Sequence, residues 1–118
     1  MTVKFEKIKI ISNPKGDLFK IISKKSKLFY KFGEIYLSEV KPNLFKGWKY
    51  HEKNTQLFTV IKGSVEFQFI KKKKHFKKTI SFPANLFIIK VPSKTKYCFK
   101  CKSNTKSLIL NLTDKVYD

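Results

Sequence analysis

The feature that most constrains this chain is a two-residue alternation of apolar and polar side chains, confined to short runs that end in turns. From Ser64 to Ile70, Val65, Phe67 and Phe69 face one way, while Ser64, Glu66 and Gln68 face the other. That is the period of a strand with one side in a core. Comparable runs read as strands from Phe5 to Ile11, Leu18 to Ser23, Phe29 to Phe32, Ile35 to Val40 and Leu57 to Ile61. Others run from Phe76 to Ile80, Leu86 to Val91, Tyr97 to Cys101 and Ser107 to Leu112. Turn-forming compositions lie between them, at Asn13-Pro14-Lys15-Gly16-Asp17, Lys41-Pro42-Asn43, Lys62-Gly63, Pro83-Ala84-Asn85 and Pro92-Ser93-Lys94. No helical period of useful length appears. About ten short strands at this spacing call for an all-β sandwich or barrel.

The chain has 118 residues, 42% of them hydrophobic and 15% aromatic, enough to fill one β-core. There is no internal repeat and no linker rich in Gly, Ser or Pro. A single domain over residues 1–118 is therefore expected. No apolar run approaches the roughly 20 residues that span a bilayer. The opening Met1-Thr2-Val3-Lys4-Phe5-Glu6 lacks the pattern of a signal peptide. A cytoplasmic location and no membrane partner are the expectations.

All 27 basic residues are lysine, against 8 acidic residues, for a net charge of +19. Nucleic-acid readers favour arginine for its bidentate fork, and this chain has none. An AT-biased coding sequence accounts for the lysine excess. The field still attracts anionic substrates such as diphosphates. Nucleic acid is expected to bind only weakly, by non-specific charge attraction. The run Lys71 to Lys74 reads as a solvated hairpin tip, and His75 after it as an exposed side chain. Cys98 and Cys101 have Cys-x-x-Cys spacing, but neither a second ligand pair nor a helix accompanies them. Two ordinary thiols are expected.

Residues 46 to 63 carry the chemistry. Lys46-Gly47-Trp48-Lys49-Tyr50-His51 is followed by Gln56 and then by Gly63. This spacing resembles the first motif of the cupins, a jelly-roll β-barrel family, with Lys49 and His51 at the two His positions. Gln56 stands at the Glu position and Gly63 at the hairpin glycine. Pro92 to Tyr97 resembles the second motif, with Tyr97 where a His would be. Of the family's four metal ligands only His51 is kept; protonated Lys cannot ligate and Gln ligates poorly. No metal and no cofactor are expected.

A narrower resemblance is to the metal-free sugar-nucleotide cupins, dTDP-4-dehydrorhamnose 3,5-epimerases and dTDP-sugar 3,4-ketoisomerases. It rests on Asn13 to Leu18, on Lys46-Gly47-Trp48-Lys49, on Gln56 before Leu57-Phe58-Thr59-Val60, and on the close Asn111 to Asp118. The resemblance implies a homodimer with exchanged N-terminal strands. It also implies a dTDP-4-keto-6-deoxysugar substrate and a proton removed beside its ketone. Such chemistry needs a base near neutral pKa and a donor for the developing oxyanion. The family's base falls at Lys49, which serves only if partly desolvated; His51 suits the task by its ordinary pKa. Tyr97 is a candidate proton donor, or else an aromatic of the barrel wall. Lys15 and Lys46 replace the family's two arginines as point charges for a diphosphate. Trp48 and Gln56 complete the expected substrate site. Loss of the base leaves the alternative of a cupin that binds a sugar nucleotide or other anion without turnover. If Lys49 lies on a strand, His51 shares its face and Tyr50 points away.

Overall fold

The computed structural model describes residues 2–116. It is all-strand, with no helix among the described residues, and so with none long and apolar enough to cross a membrane. Eleven strands follow in order: β1 Lys4–Lys7, β2 Lys9–Ile11, β3 Leu18–Lys20, β4 Glu34–Val40, β5 Phe45–Tyr50, β6 Gln56–Lys62, β7 Ser64–Lys71, β8 Lys74–Ser81, β9 Phe87–Val91, β10 Lys96–Cys101 and β11 Ser107–Thr113.

They form a five-stranded sheet, β1-β9-β6-β11-β4, facing a four-stranded sheet, β5-β10-β7-β8; β2 and β3 pair apart as a hairpin. All pairings are antiparallel. From β4 onward consecutive strands alternate between the two sheets, except for the β7–β8 hairpin, which stays within one, and the two inner faces make the core. Phe58 of the first sheet meets Phe67, Tyr97 and Phe99 of the second at ring-centroid separations of 5.2 to 6.0 Å. Phe5 reaches Phe69 and Phe76 at 6.2 and 6.1 Å. These contacts fix which face of each strand looks inward.

Three strand expectations are corrected. The run from Phe5 to Ile11 is two strands, interrupted at Ile8, which is buried and donates its N–H to the Leu86 carbonyl at 3.1 Å. The run from Leu18 to Ser23 pairs only to Lys20, where its hairpin partner ends. Phe29 to Phe32 is not a strand; turns at 24–25 and 27–28 bend this segment, and Leu28 and Phe29 pack on the core instead. Here burial was served by irregular backbone, which periodicity does not distinguish from a short strand. The segment Phe45–Tyr50 adds a strand that the alternation did not mark, because it is exposed along its whole length.

Lys72 and Lys73 form the two-residue turn between β7 and β8, with φ of 50° and 68°. Both sit in the left-handed region that a type I′ hairpin turn demands. Cys98 and Cys101 are both buried and free. Being three residues apart on one strand, they point to opposite faces of the sheet.

Candidate active site

The jelly roll has two ends, and they differ. At one end β6, β10 and β4 present Gln56, Tyr97 and Glu34; at the other β10 finishes at Cys101 and β11 begins at Ser107. The first end opens into a cavity of about 730 Å³ lined by Glu34, Tyr36, Lys49, Tyr50, His51 and Tyr97.

Strand register builds it. Tyr97 on β10 stands opposite Lys49 on β5, whereas Cys98 stands opposite Gly47, so Trp48 is an extra residue on β5. This bulge resets the alternation and aims Lys49, like Tyr97, at the interior. Gly47 is required at the bulge: its φ is +126°, and a Cβ there would lie 2.6 Å from the Cys98 Cβ. The chain leaves β5 after Tyr50. His51 is anchored by its carbonyl, which accepts the Lys94 N–H at 2.7 Å.

His51 Nε2 lies 2.9 Å from the Tyr97 hydroxyl. Tyr97 is 2% exposed and packs on Phe58 at 5.2 Å, so its ring is held by the core. Burial pushes the His51 pKa below its ordinary 6.5, and the neighbouring Lys49 ammonium pushes it the same way. The imidazole is therefore neutral at pH 7, able to accept a proton. The tyrosine O–H is a donor beside it. Lys49 supplies positive charge at the cavity wall, and Glu34 a carboxylate. A neutral base, a hydroxyl donor and a cation around one cavity suit proton transfer next to a carbonyl.

The structure thus brings together Lys49, His51 and Tyr97. Lys49 is exposed, contrary to the partial desolvation a lysine base would need. Tyr50 lines the same cavity rather than pointing away, because regular strand pairing ends at that residue. Lys46 lies nearby on β5, donating from Nζ to Ser38 Oγ at 3.1 Å. Gln56 is buried at the start of β6, on the face that carries Phe58 inward. Lys15, Lys46, Trp48 and Gln56 do not line the cavity. Lys15 sits in the β2–β3 turn, its N–H bonded to Asn13 Oδ1 at 2.9 Å. The indole of Trp48 meets His75 edge-on at 6.1 Å, on the outer face of the four-stranded sheet. His75 is exposed, as expected, and pairs with Gln68 Oε1 at 3.1 Å. Tyr117, in the closing motif, lies outside the described residues.

Glu34 and Tyr36 were missed by the sequence reading. Their signal was present: on β4 the face that ends in buried Val40 also carries Glu34, Tyr36 and Ser38. Polar residues on a core-facing row mark the end of a barrel that is open to a ligand. Among the described residues no three His, Cys, Asp or Glu side chains cluster to hold a metal ion.

Known proteins share this architecture. A dTDP sugar isomerase from Desulfovibrio desulfuricans G20 superposes with a TM-score of 0.91 at 28% identity, covering 98% of this chain and 78% of that one. A variant of the 3,4-ketoisomerase QdtA from Thermoanaerobacterium thermosaccharolyticum, in complex with TDP-4-keto-6-deoxyglucose, gives 0.84 at 20% identity over 98% and 82%. The epimerase RmlC from Legionella pneumophila, in complex with dTDP-4-keto-L-rhamnose, gives 0.86 at 15% over 98% and 68%. The last two likenesses speak for the fold alone. No curated protein matches the chain. The model of the family described as FdtA, WxcM-like, C-terminal matches residues 1–118, and the chain belongs to that family.

Proposed function

We propose that this protein moves a proton beside the ketone of a dTDP-4-keto-6-deoxysugar, as a 3,4-ketoisomerase or 3,5-epimerase. The observation that carries the reading is the 2.9 Å contact between His51 Nε2 and the Tyr97 hydroxyl at the cavity. Support comes also from the family and from relatives that are dTDP-sugar isomerases and epimerases.

In this reading His51 is the base. The carbon-bound proton passes to Nε2, and its electron pair enters the ketone as an enolate. Tyr97 and the Lys49 ammonium stabilise the oxyanion. Return of the proton from the imidazolium to the former carbonyl carbon, with the proton of the adjacent hydroxyl passing to the enolate oxygen, shifts the ketone. Protonation of the original carbon on the opposite face, by water while the imidazolium gives its own proton back to solvent, inverts that centre. Lys46 and Lys49 neutralise the diphosphate as point charges. No cofactor is needed, since no electron leaves the substrate.

A second reading is favoured by one observation: Lys49, at the position of the family's base, is exposed. A cavity without that base binds the sugar nucleotide and does not turn it over. Incubation with TDP-4-keto-6-deoxyglucose in heavy water, followed by NMR, separates the two. Exchange at C3 or C5 that His51→Ala abolishes supports catalysis. Binding without exchange leaves the binding protein.

A further inference from the structure

The outer face of the four-stranded sheet lies outside the cavity. Its inner face carries Phe67 and Phe69 of β7 and Tyr97 and Phe99 of β10, all buried. Alternation sends the residues between them outward. On β10 these include Lys96 and Lys100, and on β7 Glu66 and Gln68. Register sets Lys77 of β8 beside Gln68, and Phe45 of β5 beside Lys100.

Large aromatic rings stand in the open on this face. Phe45 is 61% exposed and Trp48 is 45% exposed. Trp48 springs from β5, at one edge of the sheet, and His75 from β8, at the other. Their rings nonetheless meet edge-on, with centroids 6.1 Å apart. The two side chains therefore reach towards each other across β10 and β7. The imidazole is anchored there: Nε2 pairs with Gln68 Oε1 at 3.1 Å, and Gln68 Nε2 donates to Glu66 Oε1 at 3.2 Å.

Positive charge surrounds the rings. Lys77 and Lys96 are exposed, and the exposed Lys72, Lys73 and Lys74 lead into His75 at the hairpin tip. Glu66 is the one acidic residue in the four strands. Among the described residues the one ion pair joins Lys106 to Glu39, and it neutralises none of these lysines.

This make-up selects an occupant. A second copy of the chain brings the same lysines and is repelled. A bare polyanion uses the lysines and leaves the rings in water. A duplex offers phosphates but keeps the faces of its bases stacked on one another. A single strand offers both phosphates and free base faces. Lysine neutralises a backbone as a point charge without reading sequence, so the lack of arginine is no obstacle.

We propose that this outer face binds single-stranded nucleic acid, with bases stacked on Trp48 and Phe45 and phosphates on Lys77, Lys96 and Lys100. It is a second function, and it does not depend on the reaction assigned to the cavity. Every base has a π-face, so binding is tolerant of sequence and weakens steeply with salt.

Trp48 is the only tryptophan of the chain, so its fluorescence reports on this face alone. Oligothymidylate and oligouridylate should both quench it, and the tighter of the two identifies the strand as DNA or RNA. Heparin and a duplex should bind by charge and leave the emission in place. Saturating TDP should not displace the strand. With a labelled strand read by anisotropy, Trp48→Ala should bind about tenfold more weakly, the stacking of one base, while its heparin affinity stays as in wild type. Lys96→Gln combined with Lys100→Gln should reduce the slope of log K against log salt by about 1.4, two phosphates at about 0.7 each. Should Trp48→Ala fail to fold, Phe45→Ala carries the same comparison. Strand binding without quenching, or equal in wild type and Trp48→Ala, would reduce the face to general charge attraction and overturn the proposal. Displacement by TDP would put the strand in the cavity and overturn it as well.

Discussion

His51 Nε2 and the Tyr97 hydroxyl are 2.9 Å apart, although 46 residues separate them in the chain. They meet because β10 pairs with β5 and because the bulge at Trp48 shifts the register between Tyr97 and Cys98. Neither residue is positioned by its sequence neighbours alone. Tyr97 is fixed by the core beneath it, at Phe58 and Phe99. His51 is fixed by that hydroxyl and by the Lys94 N–H.

If these two act as a pair, their losses will not add. His51→Ala should lower the rate of substrate proton exchange by a factor of about 10² to 10⁴, the range for a general base. Tyr97→Phe keeps the packing and removes only the hydroxyl; it should cost about 10². The double variant should be little slower than His51→Ala. Rates measured by NMR in heavy water decide it. Independent, multiplying losses would argue against a coupled pair.

The pH dependence follows from the lowered His51 pKa. Both burial and Lys49 hold it below 6.5. A base must be unprotonated, so the acid limb of kcat/KM should fall at a pH lower than 6.5. Lys49→Ala removes one of the two causes and should move that limb upward, towards 6.5. Stability follows the same sign. The unfolded chain takes up a proton at His51 before the folded protein does, so stability declines as pH falls from 6.5 through the folded pKa. An acid limb that Lys49→Ala leaves in place would mean another group controls it.

Gly47 tests the bulge. A methyl group at this position would meet the Cys98 Cβ at 2.6 Å and the Tyr97 carbonyl at 2.9 Å, on backbone with φ of +126°. Gly47→Ala should therefore loosen β5 from β10 and displace Lys49 and His51. We expect destabilisation of about 1–3 kcal/mol, typical of overpacking and of strained positive φ. Exchange activity should fall more than TDP binding does. Thermal melting with parallel assays reads both. Wild-type activity in this variant would show that the bulge does not position the site.

The fold was legible because its inward rows are apolar. Val65, Phe67 and Phe69 are each fully buried, and alternation finds such a row without further help. The site was legible in part. Lys49, His51 and Tyr97 stood out through motif spacing, which records the path of the chain through β5 and β10. Glu34, Tyr36 and Asn111 did not stand out. They lie on two strands, β4 and β11, and only register says that Asn111 lies between Tyr36 and Phe58. Trp48 was misplaced for a related reason. A bulge adds one residue to a strand and turns the following side chains over, and nothing in local composition marks it.

The outward face of the five-stranded sheet makes the last prediction. On β4 that face carries Ile35 and Leu37, which are 53% and 55% exposed. Leu37 stands opposite half-buried Leu110 on β11, which extends the apolar face by one residue, while Leu112 opposite Ile35 is already buried. A solvated sheet face is ordinarily polar. β4 is also an edge strand with an open row of backbone donors and acceptors. An apolar face beside an open edge suits a second copy of the chain, the homodimer that the family resemblance implies. Light scattering should give twice the mass calculated from the sequence. Ile35→Lys combined with Leu37→Lys places charge on that face without touching the core. It should yield a folded monomer with the same far-ultraviolet spectrum. A wild-type monomer, or a dimer indifferent to both lysines, would place the contact elsewhere or remove it.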